Sequence, residues 1–202
     1  VADWKVTMGR YDLIIAGAGL GGLSFLWHLL EAGIGTRRIL VLDRSLNVRG
    51  DRTWCFWGDE DSAFSSTADT SWRLAELAFA QETMTKEMLD HRYYCVSSNA
   101  FRARVLARIR ACENITVIES KIREIGENEF GPYVVTDQGR HEADWVLQSV
   151  RLGAADASRD VRYPVRQHFG GLEIQTETPV FDPQCFTMMD FRVEQQGGVS
   201  FV

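Results

Sequence analysis

The chain has 202 residues, of which 45% are hydrophobic and 25% charged, a composition typical of a globular protein with one large domain or one and a half. Its formal net charge of −6 argues against nucleic acid as a partner, and the absence of a run of 18 apolar residues argues against a transmembrane helix. The four cysteines form no Cys-x-x-Cys pair and the four histidines show no metal-ligand spacing. These features predict a reduced, cytoplasmic protein without a metal site.

The pattern from residue 11 to residue 44 is typical of a strand, a glycine turn, a helix and a second strand. Tyr11–Ala16 and Ile39–Asp43 are apolar runs, and Leu20–Gly33 has a broad apolar face with Gly33 as its C-cap. This is the order of elements in a dinucleotide-binding βαβ unit.

The turn between the first strand and the helix carries glycines at the three positions that such a unit requires. Gly17 permits a tight bend, Gly19 lets the backbone approach a pyrophosphate, and Gly22 lets the helix pack against the strand. The free N–H groups of the helix N-terminus attract phosphate. Asp43 follows about twenty residues after the turn, which is the spacing of an acid that binds ribose hydroxyls.

We therefore predict a bound dinucleotide, and both FAD and NAD use this unit. The alternative is a glycine-rich turn in another kind of α/β domain. Arg44 could favour the 2′-phosphate of NADP, although an arginine at this place is more often solvated. The predicted cofactor-binding residues are Gly17, Ala18, Gly19, Gly21, Gly22, Asp43, Arg44 and Arg52.

Residues 45–72 are rich in Gly, Ser, Asp and Thr, and we predict a long irregular loop there. Within it, residues 51–57 concentrate aromatic side chains. These aromatics either fill a core or form a wall beside the cofactor and an apolar substrate.

The middle of the chain predicts a strand, a helix and a small β-meander. Tyr93–Val96 reads as a strand, and Asn99 could cap a helix that extends to about Ala111. A hairpin-type turn at residues 137–139 joins two of the later strands. FAD-binding folds of the glutathione-reductase type insert a meander at this place. The four predicted strands are Ile115–Ile118, Ile122–Ile125, Tyr133–Thr136 and Trp145–Val150.

The character of the sequence changes after Arg151. Residues 153–160 resemble a linker, Leu172–Thr178 alternates between apolar and polar residues, and Cys185–Val193 reads as another strand. We predict an α/β fold with an FAD/NAD(P)-binding Rossmann-like domain over residues 8–151. Residues 152–202 would begin an antiparallel substrate-domain sheet. We also expect a fragment, because the last residues read as a turn and the opening of a strand.

Several segments together resemble the flavin-dependent lycopene cyclases, and the resemblance spans the chain from Met8 to Val202. It is carried by the glycine turn and by the segments 51–57, 94–109, 167–171, 181–183 and 189–192. The family usually has an acid where Gln148 stands, and the glutamate-rich motif to which its acid catalysis is attributed is not among these residues. We therefore expect the 202 residues alone to be inactive.

The resemblance implies carotenoid biosynthesis by an isomerase. The linear ψ ends of lycopene would be cyclised to β-ionone rings by an acid-initiated cation reaction, with reduced FAD, NAD(P)H as its reductant and no net redox change. A carotenoid dissolves in membranes, so the resemblance also implies peripheral contact of a cytoplasmic protein with a membrane surface. A redox flavoprotein of the same fold, a monooxygenase or a polyprenyl reductase, is the alternative function. A cofactor-binding module without turnover is a third interpretation.

Such a reaction needs a dry site, an acid of raised pKa and stabilisation of a cation. We predict Asp190 as the catalytic acid, because Met188, Met189 and Phe191 surround it in the sequence; the alternative is a salt bridge with Arg192. Glu173 and Glu177 are better explained as a solvated face. The predicted substrate wall, whose alternative is ordinary core, consists of Trp54, Phe56, Trp57 and Phe169.

Overall fold

The computed structural model describes residues 10–33, 36–46, 52–150, 152, 170–195 and 197–202. The elements in these residues are β1 (Tyr11–Ala16), α1 (Leu20–Glu31), β2 (Ile39–Asp43), β3 (Thr53–Gly58), a short 3-10 helix (Ser65–Thr67), β4 (Thr70–Trp72), β5 (Leu74–Ala78), β6 (Thr83–Glu87), β7 (Arg92–Ser97), α2 (Ser98–Ile109), β8 (Ile115–Glu119), β9 (Ile122–Asn128), β10 (Gly131–Thr136), β11 (Gly139–Gln148) and β12 (Cys185–Asp190).

The chain divides into two compact units, residues 1–50 with 102–164 and residues 51–101 with 165–202. This division differs from the predicted boundary at residue 151. The reason is that β5 pairs with β12, which joins the segment that follows β2 to the end of the chain. The segment 51–101 is therefore an insertion into the first unit.

The first unit contains a six-stranded sheet in the order β8-β2-β1-β11-β10-β9. The strands β8, β2, β1 and β11 are parallel, and β11, β10 and β9 form an antiparallel meander. The predicted βαβ unit and meander are both confirmed. The α1 side chains Leu23 and Leu26 and the strand residues Ile14, Leu40 and Leu42 are fully buried, as expected for a parallel sheet covered by helices.

The second unit contains two three-stranded sheets, with the orders β3-β7-β4 and β12-β5-β6. The strands β3 and β4 both run antiparallel to β7, and β6 runs antiparallel to β5. The strand β12 runs parallel to β5. Antiparallel pairing was expected for the end of the chain, but β12 pairs in parallel with β5, at the edge of the sheet that the β5–β6 hairpin begins.

The prediction of an irregular loop over residues 45–72 is wrong for its later part, where β3 and β4 lie. Thr53–Gly58 is rich in aromatic residues, which favour strands, and every residue of β3 has a partner in β7. The polar residues around β3 led to the prediction of a loop, because the strand forms only by pairing with β7, which is distant in the sequence.

The helix α2 confirms its predicted apolar face and corrects its predicted cap. Phe101, Val105 and Ile109 are each no more than 1% exposed. The Ser97 hydroxyl, rather than Asn99, accepts a hydrogen bond from the Ala100 N–H at 3.3 Å. A serine one residue before the first helical residue has the geometry of an N-cap.

Residues 172–178 form no strand, although their alternation suggested one. Leu172 is 92% exposed and Ile174 63% exposed, and the glutamates Glu173 and Glu177 are exposed as well. A segment of alternating apolar and polar residues forms a stable strand only where it pairs with a neighbouring strand and packs its apolar face against an apolar surface.

Candidate cofactor site

The glycine turn connects β1 to α1 and has the geometry expected from the sequence. Gly17 has φ of +116°, a conformation that L side chains rarely adopt, and its N–H donates to the Leu42 carbonyl at 2.7 Å. A Cβ on Gly22 would collide with the backbone carbonyl of Gly17 and press on Ile15. Gly17 is therefore required by its backbone conformation, and Gly22 by packing within the turn itself.

Gly19 and Gly21 are not constrained in this way. A Cβ on Gly19 would have no atom within 4 Å, and a Cβ on Gly21 would meet only the Ser149 Cβ, at 3.9 Å. Gly19 is the N-cap of α1, and no side chain caps that end of the helix. Open space thus lies beside a helix N-terminus whose first N–H groups are available to an anion.

Asp43 lies at the carboxyl end of β2 and bonds back to the turn. Its Oδ2 accepts a hydrogen bond from the Ala18 N–H at 2.7 Å, and its Oδ1 accepts one from the Ser45 N–H at 3.0 Å. Ala18 is 1% exposed, whereas Asp43 is half-buried. The carboxylate is therefore fixed beside the glycine turn, as a ribose-binding acid must be.

Ser149 is a residue of this site that the sequence reasoning missed. It follows β11, and its hydroxyl lies 3.2 Å from the Ala16 carbonyl oxygen and 3.1 Å from the Gly17 carbonyl oxygen, to which it donates. Its backbone N–H also donates to the Ala16 carbonyl, at 2.9 Å. The signal that could have found it is the parallel pairing of β11 with β1, which places the end of β11 next to the turn.

The arrangement fits the adenine-nucleotide half of a dinucleotide. The helix N-terminus and the open positions at Gly19 and Gly21 suit a pyrophosphate, and Asp43 suits a ribose. The site lies outside the carboxyl ends of parallel strands, where ligands of open α/β sheets bind.

The two predicted cofactor arginines have different positions. Arg44 follows Asp43 in the first unit and is exposed. Arg52 is exposed, precedes β3 in the second unit, and its carbonyl accepts a hydrogen bond from the Ser98 N–H. Their roles stay predictions.

The three described aromatics of the predicted substrate wall lie on β3 but on opposite faces, because side chains alternate along a strand. Trp54 packs edge-on against Phe101 with ring centroids 5.4 Å apart, and Phe56 stacks on Tyr94 at 5.1 Å. Trp57 is on the other face and is 49% exposed. Trp54 and Phe56 thus have the contacts of a core, the alternative that their sequence context left open.

The face of Trp57 carries a group of aromatic rings, which we call the aromatic face: Trp57, Trp72, Tyr93 and Phe186. Tyr93 has ring centroids 4.4 Å from both Trp57 and Phe186, and Trp72 lies 5.5 Å from Phe186. The sequence offered no means of finding Trp72, Tyr93 and Phe186 together, because they come from β4, β7 and β12.

Asp190 is the predicted acid, and its contacts favour the salt-bridge alternative. Its two carboxylate oxygens accept hydrogen bonds from Arg192 Nε at 2.9 Å and Nη2 at 2.6 Å. These hydrogen bonds lower the pKa of Asp190 to about 2. A carboxyl group in this state is ionised near neutral pH and holds no proton to donate, so the role of Asp190 as acid stays a prediction without support from its surroundings.

Phe169, the fourth predicted wall residue, lies outside the described residues. Among the described residues, no group of three or more His, Cys, Asp or Glu side chains could hold a metal ion. No helix in the described part of the chain is long and apolar enough to cross a membrane.

Several solved structures have a similar fold, at low sequence identity to this chain. A mutant of PqsL from P. aeruginosa matches with a TM-score of 0.60 and 15% identity, over 79% of this chain and 48% of that one. The p-nitrophenol 4-monooxygenase PnpA from Pseudomonas putida DLL-E4 matches with a TM-score of 0.51 and 13% identity, over 68% and 40% of the two chains. A mutant of the halogenase PltM in complex with FAD matches with a TM-score of 0.53 and 14% identity, over 70% of this chain and 34% of that one.

These matches establish a Rossmann-like fold of the FAD-binding type, which confirms the predicted fold class. The chain spans less than half the length of each of these three structures. A comparison with curated proteins gave no significant match.

The family comparison covers nearly the whole chain. The family model described as "Lycopene cyclase protein" matches residues 12–202, which include the glycine turn, Asp43 and all four residues of the aromatic face. The chain belongs to the lycopene cyclase family.

Proposed function

We propose that this chain supplies the FAD-binding part and one aromatic wall of a lycopene β-cyclase. The observation that carries the proposal is the pairing of the Asp43 carboxylate with the Ala18 N–H beside an open glycine turn, in a chain of this family. FAD is the cofactor that the fold favours, since PltM, of similar fold, is named as a complex with FAD. NAD(P)H is the reductant that a flavin in its reduced state would need.

The chemistry is a rearrangement of a linear isoprenoid without net oxidation. A proton adds to the terminal double bond of the ψ end, a neighbouring double bond attacks the resulting tertiary cation, and loss of a proton leaves a β ring. When bound, a reduced flavin would supply a negative charge that stabilises the cation in a dry site. The protein must hold the polyene, exclude water and deliver the proton.

Trp57 is the strongest candidate for contact with the substrate among the three described residues of the predicted wall. It is about half exposed, whereas Trp54 and Phe56 are engaged with Phe101 and Tyr94. An aromatic ring within about 6 Å of a cation contributes about 0.5–2 kcal/mol. The aromatic face would therefore both receive an apolar chain and stabilise positive charge that develops along it.

Peripheral contact with a membrane follows from the substrate in this proposal. A C40 hydrocarbon is dissolved in the bilayer, and the protein must take it from there. The described residues contain exposed apolar side chains in the second unit, including Leu89, which is 77% exposed at the turn before β7. Such side chains are compatible with shallow contact at a lipid surface.

A redox flavoprotein is the second candidate, because PnpA is named as a monooxygenase and shares the fold. The two functions differ in their consumption of NAD(P)H. A cyclase needs it only to reduce the flavin, whereas a monooxygenase consumes it in proportion to product.

The test is to express the full reading frame that contains this sequence in cells that accumulate lycopene, and to separate the pigments by chromatography. Monocyclic or bicyclic carotenoid with β rings is the expected result. Unchanged lycopene, together with soluble and flavin-loaded protein, would contradict the cyclase proposal and favour the redox alternative. Soluble protein without flavin would contradict the cofactor proposal separately.

A further inference from the structure

Cys55 and Cys95 face each other across two neighbouring strands. Cys55 in β3 is the register partner of Cys95 in β7, and the register is continuous from Thr53 to Gly58. Directly opposite residues in an antiparallel pair point to the same face of the sheet. The two thiols therefore share the face that carries Trp57 and Tyr93.

The hydrogen-bond pattern places the two cysteines at the kind of position where side chains come closest. The Ser98 N–H donates to the Arg52 carbonyl at 2.9 Å, so 52/98 is a hydrogen-bonded pair and every second pair from it is hydrogen-bonded. Cys55 and Cys95 then form a non-hydrogen-bonded pair. The Cys95 carbonyl accepts from the Asp69 N–H at 2.8 Å, on the side away from β3, which agrees with this assignment.

The thiols are free, and their surroundings differ. Cys55 is exposed and Cys95 is half-buried. Burial, followed by the charge and hydrogen bond of Cys55, raises the pKa of Cys95 to about 11. Burial and a hydrogen bond with Cys55 raise the pKa of Tyr93 to about 12. Cys55 thus contacts both neighbours and is the thiol that solvent reaches first.

We propose that Cys55 and Cys95 are a site of oxidative modification, at which a hydroperoxide converts the two thiols into a cross-strand disulfide. The Cys55 sulfur attacks one oxygen of hydrogen peroxide, the O–O bond breaks, and a sulfenic acid and one water form. The Cys95 sulfur then attacks the Cys55 sulfur, an S–S bond forms, and the sulfenic hydroxyl leaves with the Cys95 proton as a second water. Two thiols lose two electrons in total, and the peroxide gains them.

The positions of the two thiols explain why they would react with each other. A disulfide requires Cα atoms roughly 4.4–6.8 Å apart, and non-hydrogen-bonded pairs have Cα atoms about 4.5 Å apart, near the short end of that range. The bond would join β3 to β7 on the same face as Trp57 and Tyr93, so oxidation would fix one edge of the aromatic face. This inference does not depend on the proposed reaction with lycopene.

The two other cysteines serve as matched controls. Cys112 lies just after α2 in the first unit, and its thiol contacts the Arg108 carbonyl at 3.7 Å. Cys185 is half-buried in β12, and its thiol contacts the Phe186 carbonyl at 3.9 Å. Neither is the register partner of another cysteine.

The test is to treat the purified protein with hydrogen peroxide, alkylate the remaining thiols, digest without reduction and map the linked peptides by mass spectrometry. The expected result is a Cys55–Cys95 link that dithiothreitol removes. The variants C55S and C95S should lose the link, and C112S and C185S should keep it. Mapping of the unmutated protein tests the proposal even if a serine variant fails to fold. Separate oxidation of Cys55 and Cys95 to sulfinic acids, or a link from Cys55 to Cys185, would overturn it.

Discussion

Replacement of single glycines in the turn by alanine distinguishes the glycines that folding requires from those that FAD binding requires. A methyl group on Gly22 would collide with the backbone carbonyl of Gly17, which cannot move without displacing the turn. Forcing extra volume into such packing costs about 1–3 kcal/mol, so we expect G22A to lose both stability and FAD binding. Gly19 has φ of −83°, and a methyl group there would enter open space.

G19A is therefore the informative variant. Alanine is a poorer N-cap than glycine, so its free energy of unfolding should fall by less than about 1 kcal/mol. If the pyrophosphate approaches the Gly19 backbone, however, the methyl group would occupy its place. We expect the affinity for FAD to fall at least about tenfold, which corresponds to 1.4 kcal/mol. G198A is a matched control, because a Cβ there also meets nothing within 4 Å, and it should change neither quantity.

The two quantities are measured separately. Urea titration followed by tryptophan fluorescence gives the free energy of unfolding, and titration with FAD followed by flavin fluorescence gives the affinity. Unchanged FAD affinity in G19A, whatever its small loss of stability, would refute the assignment of this turn as the pyrophosphate site. Loss of stability in G19A equal to that in G22A would refute the distinction between the two glycines.

Three further outcomes are expected. D43N should weaken FAD binding while the protein stays folded, as measured by flavin titration and circular dichroism; unchanged affinity would contradict the ribose role of Asp43. Burial lowers the pKa of His141, which is 3% exposed. The contribution of neutral His141 to stability is therefore fully present above the ordinary pKa of 6.5 and falls as the pH drops through the lowered value. Urea titrations between pH 7 and pH 5 should show this loss of stability, and H141L should reduce it. W57A should lower cyclase turnover more than stability, because Trp57 is half exposed, whereas W54A should lower stability more, because Trp54 packs on Phe101. The reverse order in turnover assays and urea titrations would contradict the assignment of the two faces.

The βαβ unit could be predicted from the sequence because its signals are local. The strand Tyr11–Ala16, the turn glycines and the acid at Asp43 lie within one short segment, and each residue type is accounted for by backbone geometry or by the contact with a nucleotide that we propose. The helical face of Phe101, Val105 and Ile109 could be predicted for the same reason, since residues four apart lie on one side of a helix.

The second unit could not be predicted because its pairings are distant in sequence. β12 pairs with β5 although about a hundred residues separate them, and no local pattern records that pairing or its parallel direction. The division of the aromatics in residues 54–57 between two faces became evident only once they proved to lie in a strand. Asp190 was chosen for its apolar neighbours in sequence, but the structure favours the alternative, the salt bridge with Arg192 two residues further on.

The central claim is that the family reaction of this protein is an isomerisation begun by a proton. The most direct measurement is mass spectrometry of the carotenoid formed from lycopene in deuterated water, with NAD(P)H consumption followed in parallel. The expected product has the elemental composition of lycopene with one solvent deuterium per ring, and NAD(P)H consumption does not rise with product. A product heavier by an oxygen atom or by two hydrogens, formed in proportion to the NAD(P)H consumed, would contradict the claim.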